Sequence, residues 1–146
     1  MNLNEQTLEY WIEKAKEIAT RTHEGQQRTN GRPYIEHLTR VANKAPDRLK
    51  PIAFLHDAIE DHPDKISLEN LKAEGFPTYI LVAVDLLTHR KGITNKEYWT
   101  SILSNPDAIN VKLLDIQDNL GESPNEYQKQ KYAKALALFQ KAGYSL

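Results

Sequence analysis

The stretch Ile52-Ala-Phe-Leu-His-Asp-Ala-Ile-Glu-Asp61 decides the fold of this chain, because it joins an apolar run to four titratable side chains. Pro46 breaks the chain before this stretch, and Pro63 must end any helix that continues past it. The apolar residues cover most sides of the predicted helix, so the helix should be buried and form the core. An unpaired His56 or Asp57 would be costly there, and a divalent cation is one partner that would compensate for the burial.

Apolar spacing on both sides of this stretch predicts further helices, and no segment shows the alternation of a strand. Capping residues, prolines and glycines mark the helix ends. We expect the last helix to bury Tyr127, Ala133, Leu136 and Phe139. The predicted helices run from a cap at Asn4 to Gly25, from about Tyr34 to Ala45, from Ser67 to Gly75, from Pro77 to Leu87, from Thr94 to Leu103, from Ile109 to Leu120 and from about Pro124 to Ala142.

Length and composition limit the possible functions. The chain has 146 residues, and Lys+Arg 19 against Asp+Glu 20 gives a net charge of -1. It therefore lacks the positive surplus typical of proteins that bind nucleic acids or membrane surfaces. The absence of cysteine excludes disulfides, thiol nucleophiles and cysteine-ligated zinc, whereas the five histidines allow a metal site of imidazoles and carboxylates. We expect one all-α domain over residues 1–146, a compact helical bundle.

Localisation follows from the start of the chain and from its most apolar segment. The first residues contain neither a basic segment nor an apolar segment of an export signal. Residues 79–87, the most apolar stretch, are far fewer than the roughly 20 needed to cross a bilayer, and they predict a buried core helix. We expect a cytoplasmic protein with a small-molecule substrate and neither a nucleic-acid nor a membrane partner, and the sequence leaves its oligomeric state open.

Residues on neighbouring predicted helices extend the polar group at His56 and Asp57. His37 lies on the preceding helix, and Asp115 shares a polar stripe with Lys112 and Asn119. If the polar faces meet, His37, His56, Asp57 and Asp115 form a metal site between helices, suited to manganese, iron or zinc. Such an ion makes bound water more acidic and polarises a phosphoryl oxygen, which fits hydrolysis of a phosphate ester.

Ordinary structural roles remain open for these residues. Without further context, structural pairing of His56 with Asp57 is at least as good an explanation as metal binding. Lys112 could be a helix-surface lysine and Asp118 a solvated carboxylate. A lone histidine such as His23 or His62 is more often a capping or surface residue than a ligand.

Three blocks in a fixed order resemble the HD-superfamily hydrolase domain of RelA/SpoT proteins, and especially the stand-alone small alarmone hydrolases. The match covers roughly residues 5–120, and the joint pattern is far more specific than a His-Asp dipeptide. The blocks are His23-Glu-Gly-Gln-Gln-Arg-Thr-Asn-Gly-Arg-Pro-Tyr-Ile-Glu-His37, Ala53-Phe-Leu-His-Asp-Ala-Ile-Glu-Asp61 and Val111-Lys-Leu-Leu-Asp-Ile-Gln-Asp-Asn119.

The resemblance implies an HD-domain bundle and a reaction. The reaction removes pyrophosphate from the 3′ position of guanosine tetra- or pentaphosphate, (p)ppGpp, and gives GDP or GTP. It also implies that Mn²⁺ is held by His37, His56, Asp57 and Asp115.

The resemblance further implies roles for residues around the ion. Glu60 and Asp61 would position or activate the attacking water. Arg28 would contact the nucleotide or its phosphate, and Asn119 would orient the ribose or groups beside the metal. Lys112 would lie against phosphate, although a helix-tethering ion pair is an equal alternative.

Two positions depart from the family pattern. Thr29 stands where a basic residue commonly follows Arg28, and Gly121 stands where an arginine is often found. Both changes remove positive charge, which Arg32, Arg90 or Lys91 would have to replace. The alternatives are therefore an HD phosphohydrolase for another nucleotide, such as ppApp or a nucleoside monophosphate, and a non-enzymatic helical binding module.

Overall fold

The structure is a computed structural model that describes residues 6–146. In this range the protein is all-α, as predicted, and the only pairing outside helices that resembles a strand is an isolated antiparallel bridge between Gln27 and Pro33. A short 3₁₀ turn covers Asp47–Leu49. The helices are α1 Leu8–Thr22, α2 Tyr34–Lys44, α3 Lys50–Leu55, α4 Ala58–Asp61, α5 Leu68–Ala73, α6 Thr78–Leu87, α7 Asn95–Ile102, α8 Pro106–Leu120 and α9 Glu126–Lys141.

The predicted central helix is interrupted at its two most polar residues. Helix α3 ends at Leu55 and α4 begins at Ala58, so His56 and Asp57 form a turn between them. The His56 ring donates from Nδ1 to the carbonyl oxygen of Ala53, 2.6 Å away. That oxygen is the acceptor that the N–H of Asp57 would use in a continuous helix. The prediction of one unbroken helix was therefore wrong.

Helix α3 lies at the centre of the fold. It packs against α1, α2, α6 and α8, and its residues 51–55 are all buried. One continuous apolar core extends from Trp11 in α1 to Phe139 in α9. Helix α6 was predicted as a buried helix, but Val82 on its outer side is 44% exposed. No helix in residues 6–146 has the length and apolar character needed to span a membrane.

Most predicted helix starts are confirmed. Ser67 caps α5 and Thr94 caps α7, each within a capping box. Helix α8 begins at Pro106, three residues before the predicted Ile109, because Asn105 supplies its cap. The predicted cap at Asn4 lies outside the described residues. Helix α1 begins at Leu8 and is capped by Thr7, which accepts a hydrogen bond from the backbone N–H of Tyr10.

The buried face of α9 differs from the predicted one. Tyr127 is 70% exposed and Ala133 is also exposed, whereas Tyr132, Ala135 and Phe139 are buried. These three follow the three-and-four spacing of one helical face, and α9 contacts α7. The helix also begins at Glu126, because Asn125 rather than Pro124 supplies the cap. The correct face brings Tyr132 towards the polar residues of α8.

Candidate metal centre

Four side chains from three parts of the fold converge at one point. His37 comes from α2, His56 and Asp57 from the turn between α3 and α4, and Asp115 from α8. One ligand atom from each lies within 4.8 Å of the others. Asp57 is half-buried, and the other three are buried. The structure thus brings together all four residues predicted as metal ligands.

The short distances in this cluster involve the Nε2 atoms of both histidines. His37 Nε2 is 2.9 Å from Asp115 Oδ1 and 3.8 Å from Asp57 Oδ2. His56 Nε2 is 3.2 Å from Asp115 Oδ1 and 3.1 Å from Asp57 Oδ2. Neighbouring ligands around one ion, each bound at about 2.0–2.2 Å, are separated by roughly 3–3.5 Å. The spacing therefore suits a single metal ion.

The other ring nitrogens are already occupied by hydrogen bonds. His37 Nδ1–H donates to Asp118 Oδ2 at 2.6 Å, and His56 Nδ1–H donates to the Ala53 carbonyl. A proton on Nδ1 leaves the Nε2 lone pair of each neutral imidazole pointing into the cluster. This is the arrangement by which proteins orient metal-bound histidines. The donor set of two imidazoles and two carboxylates fits a divalent transition metal.

The carboxylates of the cluster are also held by neighbours. Tyr34 donates its hydroxyl hydrogen to Asp57 Oδ2 at 2.5 Å. Lys112 Nζ donates to Asp115 Oδ2 at 3.1 Å, and Asn119 Nδ2 donates to Asp115 Oδ1 at 3.3 Å. The ion pair that was an alternative for Lys112 is thus present. It fixes the direction of a candidate metal ligand.

The cluster attracts positive charge. Burial disfavours the charged form of His56, but the carboxylates of Asp57 and Asp115 outweigh burial and raise the pKa of the imidazole well above its usual value. Burial also acts against the charged form of Asp115, yet Lys112 and His56 hold the pKa of that carboxyl well below its usual range. The carboxylates of Asp57 and Asp115 would stabilise a bound cation in the same way.

Glu60 and Asp61 lie outside the cluster, each with a different partner. Glu60 Oε1 accepts a hydrogen bond from the backbone N–H of His89 at 2.7 Å, and Asp61 Oδ2 accepts one from Gln26 Nε2 at 3.1 Å. Both residues are exposed, although neighbouring protein atoms remove part of the water around each carboxylate. Burial and the charge of Asp57 raise the pKa of both carboxyls.

Arg28 and Asn119 form one side of a cavity of about 270 Å³ beside the cluster. Arg28 donates from Nη2 to Asn119 Oδ1 at 2.7 Å, its Nε lies 3.2 Å from Glu122 Oε1, and its guanidinium lies 5.6 Å from the centre of the Tyr34 ring. Tyr132 also lines this cavity, and its hydroxyl oxygen accepts a hydrogen bond from Asn119 Nδ2. The guanidinium is thus fixed at the cavity wall.

Tyr132 also lines a second, smaller pocket of about 70 Å³. Its wall includes Asp57 of the cluster, Glu60, Lys112 and Lys131. Most of the other lining residues come from α7 and the segment before it. The two pockets together offer space for a ligand that reaches the cluster.

Sequence reasoning missed the residues that hold the cluster in place. One alternative from the sequence treated Asp118 as an ordinary solvated carboxylate, but the residue is buried. It binds His37 and also Arg40, whose Nε lies 2.8 Å from Asp118 Oδ1. Its spacing of three residues from Asp115, on the same helix face, is the one signal that pointed to it. Arg40 also pairs with Glu122, so the carboxylates beside His37 Nδ1 belong to an ion-pair network.

His23 and His62 lie at the C-cap positions of α1 and α4, so the capping role that the sequence favoured is confirmed, although neither side chain is fully exposed. His23 is 2% exposed, and its ring stacks on Tyr34 with the centroids 5.1 Å apart. Both histidines donate to the same oxygen, Gln26 Oε1, from His23 Nδ1 at 2.7 Å and from His62 Nε2 at 2.6 Å. Gln26 in turn donates to Asp61, so this group supports one of the predicted catalytic acids.

The fold is an all-helical bundle, and His and Asp side chains form a cluster between its helices. No protein-family model matches the chain. A GTP pyrophosphokinase of Streptomyces coelicolor is 28% identical in a match that covers 88% of this chain and 17% of the relative. The chain thus spans about a sixth of the length of the curated relative that it matches.

A solved structure is similar to this chain in its three-dimensional fold. It is the structure of a metazoan ortholog of SpoT that hydrolyses ppGpp and plays a role in starvation responses. It matches with a TM-score of 0.68 and 22% sequence identity, over 86% of this chain and 81% of that chain. The HD-type helical fold implied by the sequence resemblance is therefore confirmed.

Proposed function

We propose that this chain is a divalent-metal-dependent hydrolase that removes pyrophosphate from the 3′ position of (p)ppGpp, with Mn²⁺ as the ion. The main support is the convergence of His37, His56, Asp57 and Asp115 within 4.8 Å, with both Nε2 atoms directed inward. The similarity to a SpoT ortholog that hydrolyses ppGpp supports the choice of substrate. We further propose that residues 1–146 act as one hydrolase domain on a cytoplasmic nucleotide.

The chain's own residues would keep the metal ligands in place. A bound divalent ion would supply a Lewis acid and make water more acidic. Asp118 and the Ala53 carbonyl fix the two imidazoles by accepting their Nδ1–H groups. Tyr34 and Lys112 fix the carboxylates of Asp57 and Asp115. Loss of such an outer partner typically lowers metal affinity by about 10–100-fold.

Glu60 would take the proton of the attacking water. Its raised pKa makes the carboxylate a better proton acceptor near neutrality. The hydrogen bond from the His89 backbone fixes one carboxylate oxygen and leaves the other for the proton. Asp61, held by Gln26, would orient the water. Attack at the phosphorus next to the 3′ oxygen breaks the bond between them, and that oxygen then takes up a proton.

Arg28 and Asn119 would bind the nucleotide. Both line the cavity of about 270 Å³, and Arg28 can donate to a phosphate or to a purine edge. Negative charge grows on the phosphoryl oxygens during the reaction, so a guanidinium fixed in advance would stabilise the transition state.

The test is a nucleotide panel with and without Mn²⁺, with the products identified by mass. We expect ppGpp to give GDP and pyrophosphate only when the metal is present, and a chelator to stop the reaction. Failure to release pyrophosphate from ppGpp at any Mn²⁺ concentration would contradict the proposal.

A different nucleotide is the second candidate, because Thr29 lines the cavity where the family pattern has a basic residue. The cavity wall therefore has less positive charge for a polyphosphate. Faster turnover of ppApp or of a nucleoside monophosphate in the same panel would favour this alternative.

A further inference from the structure

Lys131 is a basic residue beside the metal cluster that the sequence analysis did not identify. It lies on α9, next to Tyr132, and lines the pocket of about 70 Å³ together with Lys112, Asp57 and Glu60. Asp57 also belongs to the cluster of candidate ligands. Lys131 therefore borders the space in which the reaction would occur.

The two lysines of this pocket differ in their partners. Lys112 pairs with Asp115 at 3.1 Å. Within residues 6–146, no carboxylate lies within 4 Å of Lys131 Nζ, which lies 5.2 Å from the centre of the Tyr132 ring. Burial and the charge of Lys112 lower the pKa of the Lys131 ammonium. A half-buried ammonium without a counter-ion favours the binding of an anion.

The basic residues that could replace the missing charge at Thr29 and Gly121 are used elsewhere or exposed. Arg32 binds Glu36 through two hydrogen bonds of 3.0 and 2.7 Å, and Arg90 pairs with Asp85. Lys91 is exposed. Lys131, in contrast, borders a pocket that contains a candidate metal ligand.

We propose that Lys131 binds a phosphate group of the pyrophosphate that leaves the substrate, in the pocket that it lines together with Lys112. This inference rests on the proposed function and adds a residue that recognises the leaving group. A pocket of about 70 Å³ has space for a few water molecules, which suits a phosphate group better than a purine. Asp57 and Glu60 in the same wall locate the pocket where the bond would break. Lys131 therefore adds positive charge to the small pocket, whereas Thr29 lines the larger cavity.

The test compares Lys131→Met with Lys131→Arg and with the control Lys134→Met, which removes an exposed lysine from the same helix. Two quantities are measured at fixed free Mn²⁺: the KM for ppGpp and the inhibition constant of inorganic pyrophosphate. We expect Lys131→Met to raise both by roughly tenfold, as for the loss of a charged hydrogen bond. Lys131→Arg should recover much of the affinity, and Lys134→Met should leave both values unchanged.

Pyrophosphate binding can be measured without turnover of ppGpp. A failure of this inference can therefore be distinguished from a failure of the proposed function. If the parent protein does not hydrolyse ppGpp, pyrophosphate binding measured by calorimetry at equal free Mn²⁺ still tests Lys131. Unchanged pyrophosphate affinity in Lys131→Met, with a thermal unfolding midpoint like that of the parent, would overturn the inference. Loss of binding in that variant would support it, even where the nucleotide proves to be a different one.

Discussion

One carboxylate oxygen of Glu60 is held by the backbone N–H of His89. The proposed role of Glu60 as a proton acceptor can therefore be tested apart from its structural role. In Glu60→Gln, the amide oxygen can still accept the hydrogen bond from the His89 backbone, but the amide cannot take a proton from water. We predict a fall in kcat of about 100-fold or more, with Mn²⁺ affinity nearly unchanged. Steady-state kinetics and a metal titration measure the two effects.

The matched control is Glu69→Gln, which changes an exposed glutamate in α5. It should retain the parent rate. Full activity in Glu60→Gln would show that another group accepts the proton.

The raised pKa of Glu60 also predicts a pH-dependent gain in stability for the same variant. Because the pKa is higher in the folded than in the unfolded protein, the carboxyl stabilises the fold only when protonated, and this contribution is lost as the pH rises through the folded pKa. Glu60→Gln should therefore unfold at a higher temperature than the parent at pH 7.

The gain should shrink as the pH falls towards about 4, near the ordinary pKa of a glutamate. Thermal melts of the metal-free proteins across this range measure it, again with Glu69→Gln as the control. An equal difference at all pH values would point to a cause other than titration of Glu60.

Individual ligands could be predicted from the sequence, but their supporting contacts could not. The histidines and aspartates of the three sequence blocks were sufficient to predict the candidate metal ligands. The structure brings these four residues together: His37, His56, Asp57 and Asp115. Asp118 and Tyr34 act through hydrogen bonds to residues 81 and 23 positions away, respectively. Such long-range partners leave no periodic pattern in a single sequence.

At the scale of elements, a contact from α2 reaches the turn between α3 and α4. Tyr34 at the start of α2 donates to Asp57 in that turn. Tyr34→Phe removes only the hydroxyl group and leaves the Asp57 carboxylate without this donor. We predict a loss of about 1–3 kcal/mol in the free energy of unfolding, together with weaker Mn²⁺ binding.

Denaturant unfolding and a metal titration measure these two losses. Tyr10→Phe, at an exposed tyrosine of α1, is the control and should change neither. Unchanged metal affinity in Tyr34→Phe would show that the turn holds Asp57 by itself.

Local signals predicted helix starts well and the turn poorly. Ser67 and Thr94 were identified from residues within one helical turn, and each forms the expected cap, whereas the cap at Asn105 was not predicted. The break at His56 and Asp57 coincides with a local hydrogen bond from His56 to Ala53 and a tertiary one from Tyr34 to Asp57, neither of which the apolar pattern indicates. The buried face of α9 was also missed, because its many alanines and tyrosines allow more than one apolar stripe.

At the scale of the whole molecule, the metal cluster joins helices that are distant in sequence. Its ligands come from α2, from the turn after α3 and from α8, all around one apolar core. Because unfolding would separate these ligands, an ion that binds only the folded protein stabilises it. We predict that Mn²⁺ at 100 times its Kd adds about 2.7 kcal/mol to the free energy of unfolding.

Thermal melts over a Mn²⁺ titration, after treatment with a chelator, measure this gain. In Asp57→Ala, which removes one ligand, the midpoint should no longer rise with added Mn²⁺, and activity should be lost. A parent protein whose midpoint does not respond to any divalent transition metal would contradict the assignment of the cluster.

Glu60 and Asp61, the two acids that we propose as catalytic, are each held by a different surface loop. The loop after α1 reaches Asp61 through Gln26, and the loop after α6 reaches Glu60 through the backbone of His89. Surface loops accept sequence changes more readily than buried helices do. A sequence change in one loop can therefore shift the position of one acid, while the other acid and the candidate metal ligands keep their positions. A protein built in this way can acquire new substrates through changes in its loops, with its helical core preserved.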